Sequence, residues 1–141
     1  MAVTGLGVIS PLGNESLTFF ENLMAGKSGI KRIGADFCKR LSSPIAASVI
    51  FDASAYFPVS RIRALDRVSQ FALAAAEQAL EDAGPAWSEQ ERMRAGVFLG
   101  SGMGGANTTD EGYHNIYAKG SDRVKPYTVL MAMTNAPASW I

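Results

Sequence analysis

The segment from Arg63 to Ala83 constrains this chain more than any other. Val68, Phe71, Ala72, Ala75, Ala76, Ala79, Leu80 and Ala83 recur at spacings of three and four, the period of one helical face. Alanine dominates that face, and so small a side chain lets another element approach the helix backbone closely. The expectation is a central helix, buried on most of its sides. Gly84-Pro85 ends it: glycine reaches the left-handed region, and proline cannot continue the helix.

Strands and helices are expected to alternate around it. Ala2 to Leu6 reads as a short buried strand running into a loop that holds Gly5, Gly7, Pro11 and Gly13. Ser16 to Ala25 places Leu17, Phe20, Leu23 and Met24 on one helical face, closed by Gly26. Lys27 to Pro44 is polar, carries Lys27, Lys31, Arg32, Lys39 and Arg40, and reads as a solvated surface excursion. Ile45 to Phe51 is apolar and bounded by Pro44 and Asp52, which suggests a strand. Ser88-Glu-Gln-Glu91 has capping-box spacing and opens a short helix. Ala95 to Leu99 reads as a buried strand leading into Gly100-Ser-Gly-Met-Gly-Gly105. Thr108-Thr-Asp-Glu111 repeats the capping-box spacing before an amphipathic helix that stops near Gly120. Pro126 suits the first turn of a helix through Met133, and Asn135 is placed to cap another with Pro137 in its first turn. The alternation argues for an α/β domain. The last helix meets no stop signal at Trp140-Ile141, so Ile141 is expected to abut further protein.

Composition narrows the class. With 141 residues and 48% hydrophobic content, the chain can bury a sizeable core. Thirteen basic residues balance 13 acidic ones, which gives no electrostatic reason to expect nucleic acid or a membrane as partner. The apolar runs fall far short of the roughly 18–20 residues that cross a bilayer. No basic region followed by an apolar stretch marks a signal peptide at the N-terminus. Cys38 is the only cysteine, so no internal disulfide can form, and a cytoplasmic protein is expected.

Gly100-x-Gly102-x-x-Gly105 matches the dinucleotide fingerprint letter for letter, between an expected strand and a helix. That chemistry also needs a second strand ending in an acid that holds the ribose. Here Ser121-Asp-Arg-Val-Lys-Pro126 is a polar loop, so Asp122 has a suitable distance and the wrong context. Thr4-Gly5-Leu6-Gly7 is weaker, because Pro11 and Gly13 follow where a helix should start. Close backbone packing explains both glycine clusters more simply. Cys38 and His114, the lone histidine, lack any spacing that supports a nucleophile–base pair, and together they cannot fill a typical zinc site.

Several stretches taken in order resemble the N-terminal region of elongating β-ketoacyl-acyl-carrier-protein synthases. They are Val3-Thr-Gly-Leu-Gly-Val-Ile-Ser-Pro-Leu-Gly13, Leu23-Met-Ala-Gly-Lys-Ser-Gly-Ile30, the alanine-rich helix ending Glu81-Asp-Ala-Gly84, and Gly100-Ser-Gly-Met-Gly-Gly105. Pro126-Tyr-Thr-Val-Leu-Met-Ala-Met133 resembles the family's next helix, while Asn135-Ala-Pro137 departs from the commoner pattern. The resemblance implies an α/β fold, the N-terminal half of a thiolase-like layered α/β/α/β/α arrangement, incomplete at its C-terminus. On that reading residues 1–141 form an N-terminal ketosynthase domain that stops before the catalytic cysteine. The implied reaction is a decarboxylative Claisen condensation of an acyl thioester with malonyl-acyl-carrier protein, with no cofactor. The nucleophile, two histidines and a lysine would lie beyond Ile141; neither Cys38 nor His114 matches them, and these residues alone should be inactive. Met103, Thr128 and Val129 correspond to acyl-pocket positions, and a thioether suits a yielding gate. Many relatives carry an aromatic where Thr128 stands. Arg63 and Arg123 correspond to basic positions that meet acyl carrier protein, with Asp122 weakening that face. A homodimer, or a heterodimer with a ketosynthase-like subunit, is also implied. The rival readings are a non-catalytic subunit of the chain-length-factor kind and, from another class, a nicotinamide-dependent oxidoreductase.

Overall fold

The computed structural model describes residues 2–34, 36–84 and 87–141, leaving out the side chains of residues 36 and 37. Helix α1 (Ser16–Met24) is followed by strand β1 (Ile30–Arg32), a 3-10 turn (Asp36–Arg40), strand β2 (Ile45–Ala47) and a second 3-10 turn (Ala53–Ala55). Helices α2 (Val59–Ile62), α3 (Arg67–Ala83), α4 (Glu89–Arg94) and α5 (Ala106–Tyr113) come next. A π-helical turn (His114–Ala118) extends α5, and α6 (Thr128–Ala132) and α7 (Ala136–Trp140) complete the order.

Helix α3 is the axis, as its alanine pattern requires. Asp66 opens it by accepting from the Val68 amide, and Gly84 closes it at φ 58°. Its start lies four residues later than expected, because Pro58 begins a separate turn, α2, that runs through Ile62. Burial is one-sided: Ser69, Gln70, Leu73 and Ala74 are buried, while Glu77, Leu80, Glu81 and Asp82 face out. The remaining sides, which the alanine pattern assigns to contact with other elements, are left uncovered by these residues. Phe51, Phe57, Leu65, Leu73 and Ala74 form the core at its N-terminal end. There the Arg67 guanidinium lies over the rings of Phe51 and Phe71, at 5.0 and 4.8 Å from their centroids. It also donates to the Phe51 carbonyl at 3.1 Å. Helix α7 packs along α3, with Ala136 and Pro137 buried between them.

The expected strand at 2–6 is extended chain laid along α3, without a ladder among the described residues. Its amides are taken by side chains: Leu6 N–H donates to Asp82 Oδ2 at 2.9 Å and Val8 N–H to Gln78 Oε1 at 3.0 Å. Glycine is required there, because a Cβ at Gly5 would strike the Ala79 carbonyl and one at Gly7 the Ala75 carbonyl. Residues 95–99 are likewise extended and unladdered, and Phe98 is 100% exposed, so neither segment is the buried strand expected. The strand anticipated at 45–51 shrinks to β2, which pairs antiparallel with β1 in the register Ile30↔Ala47, Lys31↔Ala46 and Arg32↔Ile45. Beyond it the chain turns inward to bury Phe51, which ends the pairing.

Two further boundaries move. Helix α6 starts at Thr128, two residues after Pro126, because Tyr127 adopts φ 67° and breaks the approach. Asn135 precedes α7 as expected, without a side-chain cap. The Ser88 capping box forms in full, with Ser88 and Glu91 satisfying each other's amides. Pro85, expected to help end α3, lies outside the described residues.

Candidate functional site: the glycine loop and its clamps

The loop at 100–105 owes its shape to two neighbours and to itself. Gly104 N–H donates to Ser101 Oγ at 2.9 Å, and Gly105 N–H to the Ala132 carbonyl of α6 at 3.2 Å. A Cβ on Gly105 would strike the Met131 carbonyl, and one on Gly104 would stand 2.9 Å from the Ala132 carbonyl. Gly100 and Gly102 have nothing within 4 Å of such a Cβ. Only the last two glycines are packing glycines. The loop is thereby held against the α6–α7 turn, which brings Met103 and the Thr128–Val129 helix onto one structural unit.

Helix α5 begins at Ala106 with Gly105 as its N-cap, not at a Thr108 capping box. Thr108 lies inside the first turn and is buried. Its N–H and Oγ1 both donate to Asp66 Oδ2, at 2.8 and 2.6 Å. The expected box fails because a carboxylate 42 residues away takes the amide first. Glu111, the box's other half, instead accepts from Lys125 Nζ at 2.7 Å.

This bonding answers the dinucleotide reading. A pyrophosphate at such a loop needs free amides at the start of the helix. Here Gly104, Gly105, Ala106 and Thr108 all spend their N–H groups inside the chain. A negative charge already occupies the helix N-terminus. The helix-side half of the loop is a packing device, with the Gly104, Gly105, Ala106 and Thr108 amides not open to a pyrophosphate.

Of the remaining expected site residues, Met103 stands 80% exposed on the loop and Val129 is 74% exposed on α6. Thr128 is half-buried, and its hydroxyl donates to the Lys125 carbonyl at 2.7 Å. It lines a shallow cleft with Thr108, Glu111, Asn115, Lys125 and Met131, which neither Met103 nor Val129 lines. Arg63 is exposed at the end of α2. Arg123 is exposed before α6, its Nε 3.9 Å from Asp122 Oδ1, so its neighbour partly offsets its charge. Cys38 is buried and His114 is exposed. Among the described residues no group of three or more side chains is placed to hold a metal, and no helix is long and apolar enough to cross a membrane. Sequence reasoning missed Asp66 altogether; its position just before α3 signals a helix cap, and nothing local signals its second partner.

Comparison with known proteins places this arrangement. The β-ketoacyl synthase N-terminal domain family matches residues 1–141, and the chain belongs to that family. A relative named 3-oxoacyl-[acyl-carrier-protein] synthase 2 from Coxiella burnetii is 35% identical over 100% of this chain and 34% of its own length. One of the same name from Vibrio cholerae is 35% identical over 96% of this chain and 33% of its own. This chain thus spans about a third of the length of those relatives. A β-ketoacyl synthase structure from Burkholderia phymatum superposes with a TM-score of 0.76 at 28% identity, over 97% of this chain and 34% of that one. The ishigamide ketosynthase/chain length factor superposes with a TM-score of 0.74 at 23% identity, covering 98% of this chain and 35% of that one, a likeness of fold alone. The thiolase-like fold class expected from the sequence therefore stands, although individual strand assignments do not.

Proposed function

We propose that residues 1–141 form the N-terminal domain of a ketosynthase that elongates acyl chains on acyl carrier protein. The supporting observation is the family match across the whole chain, joined to a glycine loop packed on α6–α7 with the Gly104 and Gly105 amides bonded within the chain. In the reaction a cysteine thiolate, contributed by residues other than these, takes an acyl group as a thioester. Malonyl-carrier loses carbon dioxide, and the resulting carbanion attacks the thioester carbonyl and expels the thiolate. The product is longer by two carbons and remains on the carrier. An oxyanion hole and donors near the departing carboxylate are the physical needs of those steps.

Within that scheme Met103, Thr128 and Val129 border the acyl channel, and the exposure of Met103 and Val129 leaves them available to line it with other protein. Arg63 and Arg123 meet the acidic carrier protein. Pairing with a second ketosynthase-like subunit and a cytoplasmic location complete the reading. Condensation assays on the intact protein, with acyl-carrier substrates of graded length, test it. Met103→Ala should shift the ratio of kcat/KM between long and short chains by about tenfold, as pocket changes of a few methylenes do. Absence of any condensation product would sink the enzyme reading; an unchanged ratio with a lowered Tm would reduce Met103 to filler.

A further inference from the structure

Helix α5 lacks a cap of its own. A helix opening leaves its first amides without partners, and Ser, Thr, Asp or Asn at the N-cap ordinarily supplies an acceptor. Gly105 holds that position and has no side chain to offer. No capping residue can replace it, because any Cβ there would collide with the Met131 carbonyl. The close contact that seats the loop on α6 therefore forbids the residue that would stabilise the start of α5.

Asp66 resolves this conflict from another element. Its carboxylate is 4% exposed. Oδ1 accepts from the Val68 amide at 3.1 Å and so caps α3. Oδ2 accepts from Thr108 N–H at 2.8 Å, the third residue of α5, and from Thr108 Oγ1 at 2.6 Å. One carboxylate thus serves two helix N-termini, and its charge suits both dipoles. The C-terminal end of the loop between Gly100 and Gly105 is held at two successive points, Gly105 on Ala132 and, three residues on, Thr108 on Asp66.

We propose that Asp66 is a positioning residue for the glycine loop, a cap supplied in trans by α3 that fixes where Met103 stands. Its link to acyl selectivity rests on the ketosynthase reading; the positioning itself does not. Hydrogen exchange on the intact protein, read peptide by peptide, tests it. In Asp66→Asn and in Thr108→Val, exchange at amides 104–109 should rise by about tenfold or more relative to amides of α3, the factor set by losing a charge-assisted hydrogen bond. Thr108→Ser keeps the hydroxyl and should restore protection to the native level. Thr108→Val keeps the α3 cap and the Thr108 N–H bond and removes only the hydroxyl bond, so it reads that arm of the contact even if Asp66→Asn fails to fold. Uniform loosening of the whole molecule, or native protection of the loop in Thr108→Val, would overturn the proposal. Loosening of the loop in Thr108→Val with unchanged acyl-chain selectivity in the same protein would uphold Asp66 and remove Met103 from the acyl channel.

Discussion

Two glycine-bearing segments, 2–9 and 100–105, are both held to other elements by backbone contact, yet they achieve it by opposite means. At the N-terminus Gly5 and Gly7 lie on the flank of α3, and long side chains from that helix, Asp82 and Gln78, reach out to the segment's amides. In the glycine loop the close contact is with the turn between α6 and α7, and the helical amide beyond it is met by a short buried carboxylate at the other end of α3. The first arrangement docks an extended segment on a helix side; the second anchors the start of a helix. Glycine makes room in both, but only in the second does it also remove the local cap. Similar letters in the sequence therefore carry different structural debts.

The largest expected effect separates packing glycines from neutral ones. Gly105→Ala should cost about 3 kcal/mol, the upper part of the range for overpacking, because the obstacle is a backbone carbonyl that cannot rotate away. Gly100→Ala and Gly102→Ala, with open space around the added carbon, should stay within about 0.5 kcal/mol. Urea titrations of the three variants check this, and equal costs at all three would erase the distinction. An intermediate effect belongs to the N-terminal segment. Gln78 accepts from Val8 N–H and donates to the Asn14 carbonyl at 2.7 Å, so Gln78→Ala strips two partners at once. A loss of about 1–3 kcal/mol is expected, with residues 2–9 becoming the first to be cleaved in limited proteolysis. Native resistance of that segment would show that glycine packing alone holds it.

The smallest effect is at α4, whose cap is built from its own residues. Hydrogen bonds from the Ser88 hydroxyl and amide lower the pKa of Glu91 below its ordinary value. A lowered folded pKa means the contribution is present above the unfolded value, about 4.3 for glutamate, and is lost as pH falls through the folded one. The protection factors of amides 88–94, corrected for the intrinsic slowing of exchange in acid, should therefore fall locally on acidification below that range, while Ser88→Ala flattens the response. Protection factors that do not change with pH there would remove the box as a stabilising element.

Features whose partners are close in sequence were legible from it. The period of α3, the terminus at Gly84, the turn at Gly26 and the Ser88 box each depend on residues within a turn or two of one another. The failures were distant. Residues 2–6 and 95–99 have strand-like composition, but a strand is defined by its neighbour, and composition says nothing of whether one stands beside it. The Thr108 box had correct spacing and lost its amide to Asp66. Pro126 was a sound helix opener, overridden by the left-handed Tyr127. The expected site residues came from the family resemblance and not from local pattern; the bond between Asp66 and Thr108 was visible in no motif.

The attachment of the N-terminal segment to α3 has a kinetic side. Leu6 and Asp82 are 76 residues apart, and Val8 and Gln78 are 70 apart. At about 5–20 residues per second, a ribosome takes roughly 4–15 s to make the chain between Leu6 and its acceptor. Throughout that interval residues 2–9 have been made and their amides cannot yet reach Asp82 and Gln78. The segment thus settles only after α3 has been made, and its glycines leave it conformationally free until then.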